Sequence, residues 1–306
     1  MQWSINDIPD QSGKTAIVTG ANSGLGYETA LALALKGARV VMACRNLDKG
    51  REALEAIQSQ VAAGAVQLMA LDLSSLASIE EFAVAYQAEH DRLDILINNA
   101  GVMAPPYQTT TDGFELQIGT NHLGHFALTG LLIGLIRQTP GCRIVTVTSM
   151  AQDYGTIKFD DINSKKSYSR YGAYCQSKLA NVLFAFELQR RLDEAEIEAV
   201  STAAHPGLSY TNLQKNTVKK TKAPLEGLIY GVVMPLLSQS QAQGAWPQLY
   251  AATMPQVNGG QHFGPGGLMA LWGAPKKLKA AKAAYNEADA SRLWDLSEQL
   301  TGVHYL

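Results

Sequence analysis

The chain is poor in the features that mark secreted, membrane-spanning or polyanion-binding proteins. Its 306 residues include only three cysteines, Cys44, Cys142 and Cys175. Their wide spacing offers neither a disulfide framework nor a CxxC metal or redox pair, which points to a reducing compartment. A formal charge of −2 at pH 7 gives no overall attraction to nucleic acid or anionic lipid, so any polyanion must be met by a local patch. No stretch reaches the roughly 18 uninterrupted apolar residues needed to span a bilayer. The opening "MQWSINDIPDQSGK" lacks the basic flank and apolar run of a secretion signal. The expectation is a soluble, cytoplasmic protein with no integral membrane span and no nucleic-acid partner. One short apolar stretch, "LEGLIYGVVMPLL" at 225–237, stands apart.

What is present is enough apolar residue for a large core: 46% of the chain is hydrophobic and 17% charged. Short β-branched runs at 14–20, 38–44, 65–73, 93–100, 142–149 and 197–207 alternate with segments such as "GYETALALALKG" and "SLASIEEFAVAYQAEH". The runs are apolar on both faces, as parallel strands covered by helices are, and the intervening segments repeat at three and four. This predicts an α/β fold with a doubly wound parallel sheet of the Rossmann type. After Gly207 the rhythm breaks into a polar stretch, the apolar 225–237 segment and a short strand candidate, "GGQHFGP" at 259–265. The remainder, from "PKKLKAAKAAY" onward, reads as helical, with Lys276, Lys277 and Lys279 on a solvated face. No repeat or low-complexity linker interrupts the chain. A single domain fits, with a core over 13–207, a substrate lid and last strand over 208–270, and C-terminal helices over 271–306.

Immediately after the first strand comes "TGANSGLG", in which Gly20, Gly24 and Gly26 lead into a helix expected to stop at Gly37. Glycines at a strand-to-helix turn let backbone approach a pyrophosphate, whose charge the free N–H groups of the new helix bind. Asn22, Ser23 and Leu25 lie in the same turn. The spacing is GxxxGxG rather than the commoner GxGxxG. At the end of the second strand, where an NAD site places an acid for the ribose hydroxyls, stands "ACRN". A guanidinium at Arg45 can pair with a 2′-phosphate that a carboxylate would repel, which favours NADP. The alternative is an exposed loop arginine. Asp72, followed by Leu73, closes the third strand and either accepts from an adenine amino group or caps the next helix.

Two tyrosines are each followed four residues later by a lysine: Tyr154/Lys158 in "YGTIK" and Tyr174/Lys178 in "YGAYCQSK". A neighbouring ammonium lowers the cost of forming tyrosinate. Residues four apart share a face only in a helix. "YGAYCQSKLANVLFAFELQRRL" has helix formers and an apolar stripe, whereas "YGTIKFDD" has a glycine and a β-branched pair between the partners. Tyr174 and Lys178 are therefore the expected proton donor pair. Ser149, at the carboxyl end of the fifth strand, supplies a hydroxyl to polarise a carbonyl where ligands of open α/β sheets collect.

Taken together, "TGANSGLG", "NNAG" (98–101), Asn121 in "TNHLGHF", Ser149, Tyr174/Lys178 and "HPG" (205–207) resemble the short-chain dehydrogenase/reductase superfamily in order and spacing, over about residues 13–270. Within it the "ACRN" turn, "NHLGHF" and the 25 positions from Ser149 to Tyr174 resemble the retinol-dehydrogenase-like branch. The resemblance implies that Tyr174 is general acid or base and that Lys178 tunes it and binds the nicotinamide ribose. It further implies that Ser149 orients the substrate oxygen and that Asn121 holds a water relaying protons from Lys178. Asn99, Ala100 and Gly101 would touch the adenosine side, Pro206 and Gly207 the nicotinamide, and Thr211 its amide or a phosphate. The expected activity is NADP(H)-dependent interconversion of a carbonyl and an alcohol on an apolar small molecule, with no metal. Alternatives are a catalytically silent NADP(H)-binding regulator, a protochlorophyllide-reductase-like enzyme and a nucleotide-sugar epimerase. The second carries a cysteine after its Pro–Gly turn where this chain has Leu208, and the third needs a larger C-terminal domain. His122 and His125 form an HxxH with no evident third ligand. The apolar helices over 121–138 and 171–191 suggest a homodimer, or simply face the sheet.

Overall fold

The computed structural model describes residues 3–209 and 238–306, so Thr211 and the 225–237 stretch lie outside the described residues. Eight strands form one sheet in the order β3-β2-β1-β4-β5-β6-β7-β8. They are β1 (Thr15–Thr19), β2 (Arg39–Cys44), β3 (Val66–Ala70), β4 (Ile95–Asn98), β5 (Cys142–Val147), β6 (Ala199–Ala204), β7 (His262–Pro265) and β8 (Pro275–Leu278). All pairings are parallel except β7 with β8. The chain runs outward from β1 to β3, then returns to place β4 on the other flank of β1. A crevice therefore opens at the carboxyl ends of β1 and β4, where such sheets bind ligands.

Period-two alternation sorts the central strands into two cores. Ala16, Val18, Ile95, Ile97, Val145 and Val147 pack on one face with the helices α1 (Gly24–Leu35), α2 (Leu47–Gln58) and, late in the chain, 241–253. Ile17, Leu96 and Ile144 pack on the other, beneath α3 (Leu76–Glu89) and the helices of the second half. Because both faces are covered, the strands read as continuous apolar runs. The helix α1 ends at Leu35, and Gly37 takes up a φ of 94°, as the sequence predicts.

The helical region over 116–138 is not one helix. A short turn α4 (Leu116–Ile118) passes into a π-helical turn, Gly119–Leu123, then α5 (Gly124–Leu131) and α6 (Ile133–Gln138). By contrast α7 (Arg170–Glu194) runs unbroken for 25 residues, started by Ser169, whose Oγ accepts from the Gly172 N–H at 3.3 Å.

The C-terminal part departs from expectation. Pro275–Leu278 is not helical: it forms the antiparallel edge strand β8, pairing Lys277 with Phe263 and Lys276 with Gly264. Proline is tolerated at the first residue of an edge strand, and lysines there discourage further strand addition. Helix resumes only after a short turn at Lys282–Tyr285, with α8 (Gln241–Thr253) already behind it and α9 (Glu287–Thr301) closing the chain. Trp294 of α9 meets Phe126 and Phe184 at 5.0 and 6.0 Å between ring centres, and Tyr305 meets Phe126 at 4.9 Å. The C-terminal segment thus packs its aromatic side chains on Phe126 of the 121–138 region and Phe184 of α7. Among the described residues, no helix is long and apolar enough to cross a membrane.

Candidate active site

The glycine turn is built by close packing against the turn after β4. Gly20 has a φ of 68° and Gly24 one of 60°. A Cβ on Gly26 would lie 2.4 Å from the Gly20 carbonyl oxygen and 2.6 Å from Asn99 Nδ2, so only glycine fits. Asn99 Nδ2 donates to the Thr19 carbonyl at 2.7 Å, and the N–H groups of Asn99 and Ala100 both donate to Thr19 Oγ1 at 2.9 Å. Ser23 is the extended N-cap of α1 but makes no side-chain cap bond, so the first-turn N–H groups of α1 keep their capacity for an anion. Asn22 and Leu25 flank Ser23 and Gly24 in this turn, with Leu25 buried.

At the end of β2, Cys44 is fully buried, and burial pushes its thiol up to about 11. It is packing, not a ligand-facing group. Arg45, the next residue, is exposed, with its guanidinium 3.9 Å from Asp72 Oδ1. Asp72 lies two residues beyond β3, which ends at Ala70. Its Oδ1 accepts from the Ser74 N–H at 2.9 Å and from Ser74 Oγ at 2.6 Å. It does not cap α3; Ser75 does, accepting from the Ser78 N–H. Leu73 is buried beside it.

The expected proton-donor pair, Tyr174 and Lys178, sits on α7. Tyr174 and Lys178 are one turn apart, with Nζ 5.7 Å from the centre of the tyrosine ring. Lys178 is 5% exposed, and loss of water lowers its pKa to about 8. Its Nζ donates to the Val147 carbonyl at 3.2 Å, which also accepts from Asn181 Nδ2 at 2.9 Å. Thr148 Oγ1 donates to the Lys178 carbonyl at 2.7 Å. The end of β5 is thereby fastened to α7 immediately before Ser149, which is half-buried and whose Oγ accepts from the Ala151 N–H at 3.3 Å. Asn181 and Thr148 are contributors that sequence reasoning missed.

Asn121 lies inside the π-helical turn, fully buried. Its Oδ1 accepts from the Val102 N–H at 2.8 Å, and its Nδ2 donates to the Val102 carbonyl at 3.0 Å and to Ser177 Oγ at 2.9 Å. Ser177 Oγ in turn donates to the Tyr174 carbonyl at 2.8 Å. The side-chain amide is committed to clamping the loop after β4 onto α7. Gly101 completes the junction: a Cβ there would approach Asn121 Oδ1 to 3.1 Å and Lys178 Nζ to 3.6 Å.

The two histidines of HxxH point to different partners. His125 Nδ1 is 3.0 Å from the Asn121 carbonyl, and its Nε2 is 3.0 Å from Thr19 Oγ1. Since the carbonyl can only accept, Nδ1 carries the proton and Nε2 accepts from Thr19. Burial lowers the pKa of His125 to about 4, which keeps it neutral. His122 instead bonds Ser297 Oγ of α9 at 2.8 Å. Among the described residues no group of three His, Cys, Asp or Glu could hold a metal ion. On the far side of the crevice, His205 Nδ1 accepts from the Gly207 N–H at 3.1 Å, fixing the Pro206–Gly207 turn. The Pro206 carbonyl accepts from Ser209 Oγ and Gln239 Nε2.

Known proteins are similar to this chain in sequence and in fold. A family model described as short chain dehydrogenase matches residues 14–222. Human retinol dehydrogenase 14 is 39% identical over 307 residues, covering 95% of this chain and 87% of its own. Human retinol dehydrogenase 13 is 42% identical over 294 residues, covering 95% and 85%. A crystal structure of an uncharacterized protein from Mycobacterium paratuberculosis superposes with a TM-score of 0.81 at 40% identity, covering the whole of both chains. RhlG of Pseudomonas aeruginosa, solved as its NADP complex, shares the fold with a TM-score of 0.55 at 24% identity, over 70% of this chain and 79% of its own. The chain belongs to the short-chain dehydrogenase family, in its retinol-dehydrogenase-like branch.

Proposed function

We propose that this oxidoreductase uses NADP(H) to interconvert a carbonyl and an alcohol on an apolar small molecule, with Asn121, Ser149, Tyr174 and Lys178 as its reaction centre. The observation that carries the proposal is the burial of Lys178 one helical turn from Tyr174, tied to the end of β5 just before Ser149. With a pKa lowered only to about 8, Lys178 stays largely protonated at neutral pH, and its charge favours tyrosinate at Tyr174. Tyr174 then gives its proton to a carbonyl oxygen in reduction and takes one from an alcohol in oxidation. Ser149 Oγ orients that oxygen. Asn121 contributes by clamping Val102 and Ser177, which hold the loop after β4 and the Tyr174 backbone in place. When bound, the nicotinamide cofactor supplies or accepts the hydride.

The residues present fit such a cofactor. The Gly20–Gly26 turn admits close backbone approach, α1 presents uncapped N–H groups, and exposed Arg45 supplies a cation for a 2′-phosphate. Asp72, Leu73, Asn99, Ala100 and Gly101 would border the adenosine half, and Pro206, Gly207 and Thr211 the nicotinamide half. The apolar character of the substrate rests on the retinol dehydrogenases named above and on the greasy 225–237 stretch. The test is turnover of purified protein with a panel of apolar aldehydes, ketones and quinones, comparing NADPH with NADH. Oxidation of NADPH by at least one apolar carbonyl is expected. Tight NADPH binding with no turnover of any member would favour the silent-regulator reading instead.

A further inference from the structure

His125 is fully buried, and its ring meets the crevice at both ends. Nε2 lies 3.0 Å from Oγ1 of Thr19, 106 positions away in sequence, and Nδ1 lies 3.0 Å from the Asn121 carbonyl. The carbonyl can only accept, so Nδ1 carries the proton and Nε2 is left as the acceptor. Thr19 Oγ1 already accepts from the N–H groups of Asn99 and Ala100, both at 2.9 Å. Those bonds take up its two lone pairs, so the hydroxyl proton is what it has to give. His125 Nε2 is the nearer acceptor for it, since the Ile97 carbonyl lies at 3.3 Å. The result is a chain of hydrogen bonds with one direction, from Asn99 and Ala100 to Thr19, from Thr19 to His125 and from His125 to Asn121. Bonds so aligned polarise and strengthen one another in a buried setting.

The two ends of the chain belong to different halves of the crevice. Thr19 closes β1 immediately before Gly20, and Asn99–Ala100 is the turn against which the glycine turn packs. Asn121 lies in the π-helical turn, where the Gly124 N–H reaches back five residues to the Gly119 carbonyl. Its side-chain amide is already bonded to Val102 and Ser177, so the backbone carbonyl is the group left to join it to the dinucleotide side. The point that a Cβ on Gly101 would occupy is 3.1 Å from Asn121 Oδ1 and 3.6 Å from Lys178 Nζ, which sets Asn121 beside the buried ammonium. His122, in the same π-helical turn, shows the contrast. It bonds Ser297 Oγ of α9 and lies against the rings of Phe126 and Phe184. Burying an imidazole requires only a partner of that kind, not one at Thr19 and another at Asn121.

We infer that His125 is a positioning residue: its ring is a rigid strut tying the cofactor turn to the Asn121 carbonyl, so that filling the glycine turn with a dinucleotide fixes Asn121 beside Lys178. The inference rests on the cofactor and reaction centre proposed above and adds to them a residue that acts through Thr19 and Asn121. The two ring nitrogens are held at a fixed separation, so a shift of the Asn99–Gly101 turn against a dinucleotide is passed on to Asn121. The coupling is reciprocal: each turn becomes firmer when the other is held. An apolar ring of similar size would fill the space, but it would leave the Asn121 carbonyl without this donor and let the two turns move independently.

The test is hydrogen–deuterium exchange of the purified full chain with ADP and with adenosine 2′,5′-bisphosphate. These fragments carry the adenosine and phosphates of the two cofactors but neither the nicotinamide nor its ribose, so they fill the glycine turn without reaching Asn121. In the wild type the fragment that binds should slow exchange over 97–102 and, through the ring, over 117–126. His125→Phe and His125→Asn should keep the first protection and weaken the second at least about threefold in exchange rate. Thr19→Ser, which keeps the hydroxyl, should transmit as the wild type does. In carbonyl reduction, His125→Asn should lower kcat about tenfold with the carbonyl KM within about threefold of wild type. Thermal unfolding curves verify that the variants fold, and His125→Asn carries the comparison if His125→Phe does not. A ring that only filled space would loosen both segments in its variants and leave transmission intact. Protection of 97–102 alone in the wild type overturns the inference, as does wild-type transmission in the His125 variants or an unchanged kcat in His125→Asn. Absence of protection over 97–102 with either fragment defeats the cofactor reading and the inference with it, so the two failures appear in different segments.

Discussion

Tyr174/Lys178 and Tyr154/Lys158 share a spacing and almost nothing else. The first pair rides on α7 with its lysine buried against the end of β5. In the second, Tyr154 ends a 3-10 turn with 83% of its surface exposed, and Lys158 precedes a separate turn at Phe159–Asp161. A four-residue interval brings side chains together only where backbone hydrogen bonds wind the chain once between them. The second segment has a different task. A Cβ on Gly155 would lie 2.6 Å from the Cys175 carbonyl oxygen and 2.7 Å from Leu179 Cβ, so this turn presses on α7 at the residues that follow each of the two catalytic candidates. One region carries the proposed reactive groups and the other packs against their helix.

The largest expected contrast is in turnover. Lys178→Met should lower kcat/KM by about 10³-fold or more, while Lys158→Met stays within about twofold of wild type, measured with the best substrate of the carbonyl panel. Burial of Lys178 also sets a pH dependence of stability. Its folded pKa, about 8, lies below the unfolded 10.5, so its contribution is fully present only above pH 10.5 and is lost as pH falls through about 8. Wild type should therefore gain up to about 3 kcal/mol relative to Lys178→Met between those limits, read from urea unfolding without cofactor. Gly155→Ala sharpens the comparison from the other side: overpacking against α7 should destabilise by about 1–3 kcal/mol and reduce turnover without abolishing it. The smallest effect concerns the cofactor, where Arg45→Ala should cut the preference for NADPH over NADH about tenfold in kcat/KM. An unchanged preference would remove Arg45 from that role.

Much of the frame was legible because it depends on local pattern. Strands buried on both faces announce themselves as apolar runs, and α7 as a long stretch of helix formers. The edge strand β8 was not legible. "PKKL" has little β propensity, and what makes it a strand is pairing with Phe263 and Gly264, a tertiary contact. The polar joints of the site were hidden for the same reason. Thr19, His125, Thr148, Ser177 and Asn181 are ordinary residues in the sequence, and their importance comes from burial beside carbonyls and amides brought in from distant strands. The HxxH of "NHLGHF" has no evident third ligand in the sequence, and its helical wrapping sends His122 to Ser297 and His125 to Thr19. Asp72 was placed within two residues, but the cap of α3 belongs to Ser75.

Replacing each phenol hydroxyl in turn gives the most direct measurement: Tyr174→Phe and Tyr154→Phe, assayed for carbonyl reduction and for NADPH affinity by fluorescence titration. Tyr174→Phe should lose at least about 10²-fold in turnover with NADPH affinity held within a few-fold, and Tyr154→Phe should match wild type in both. Full activity in Tyr174→Phe, or a comparable loss in Tyr154→Phe, would contradict the assignment of the reaction to α7.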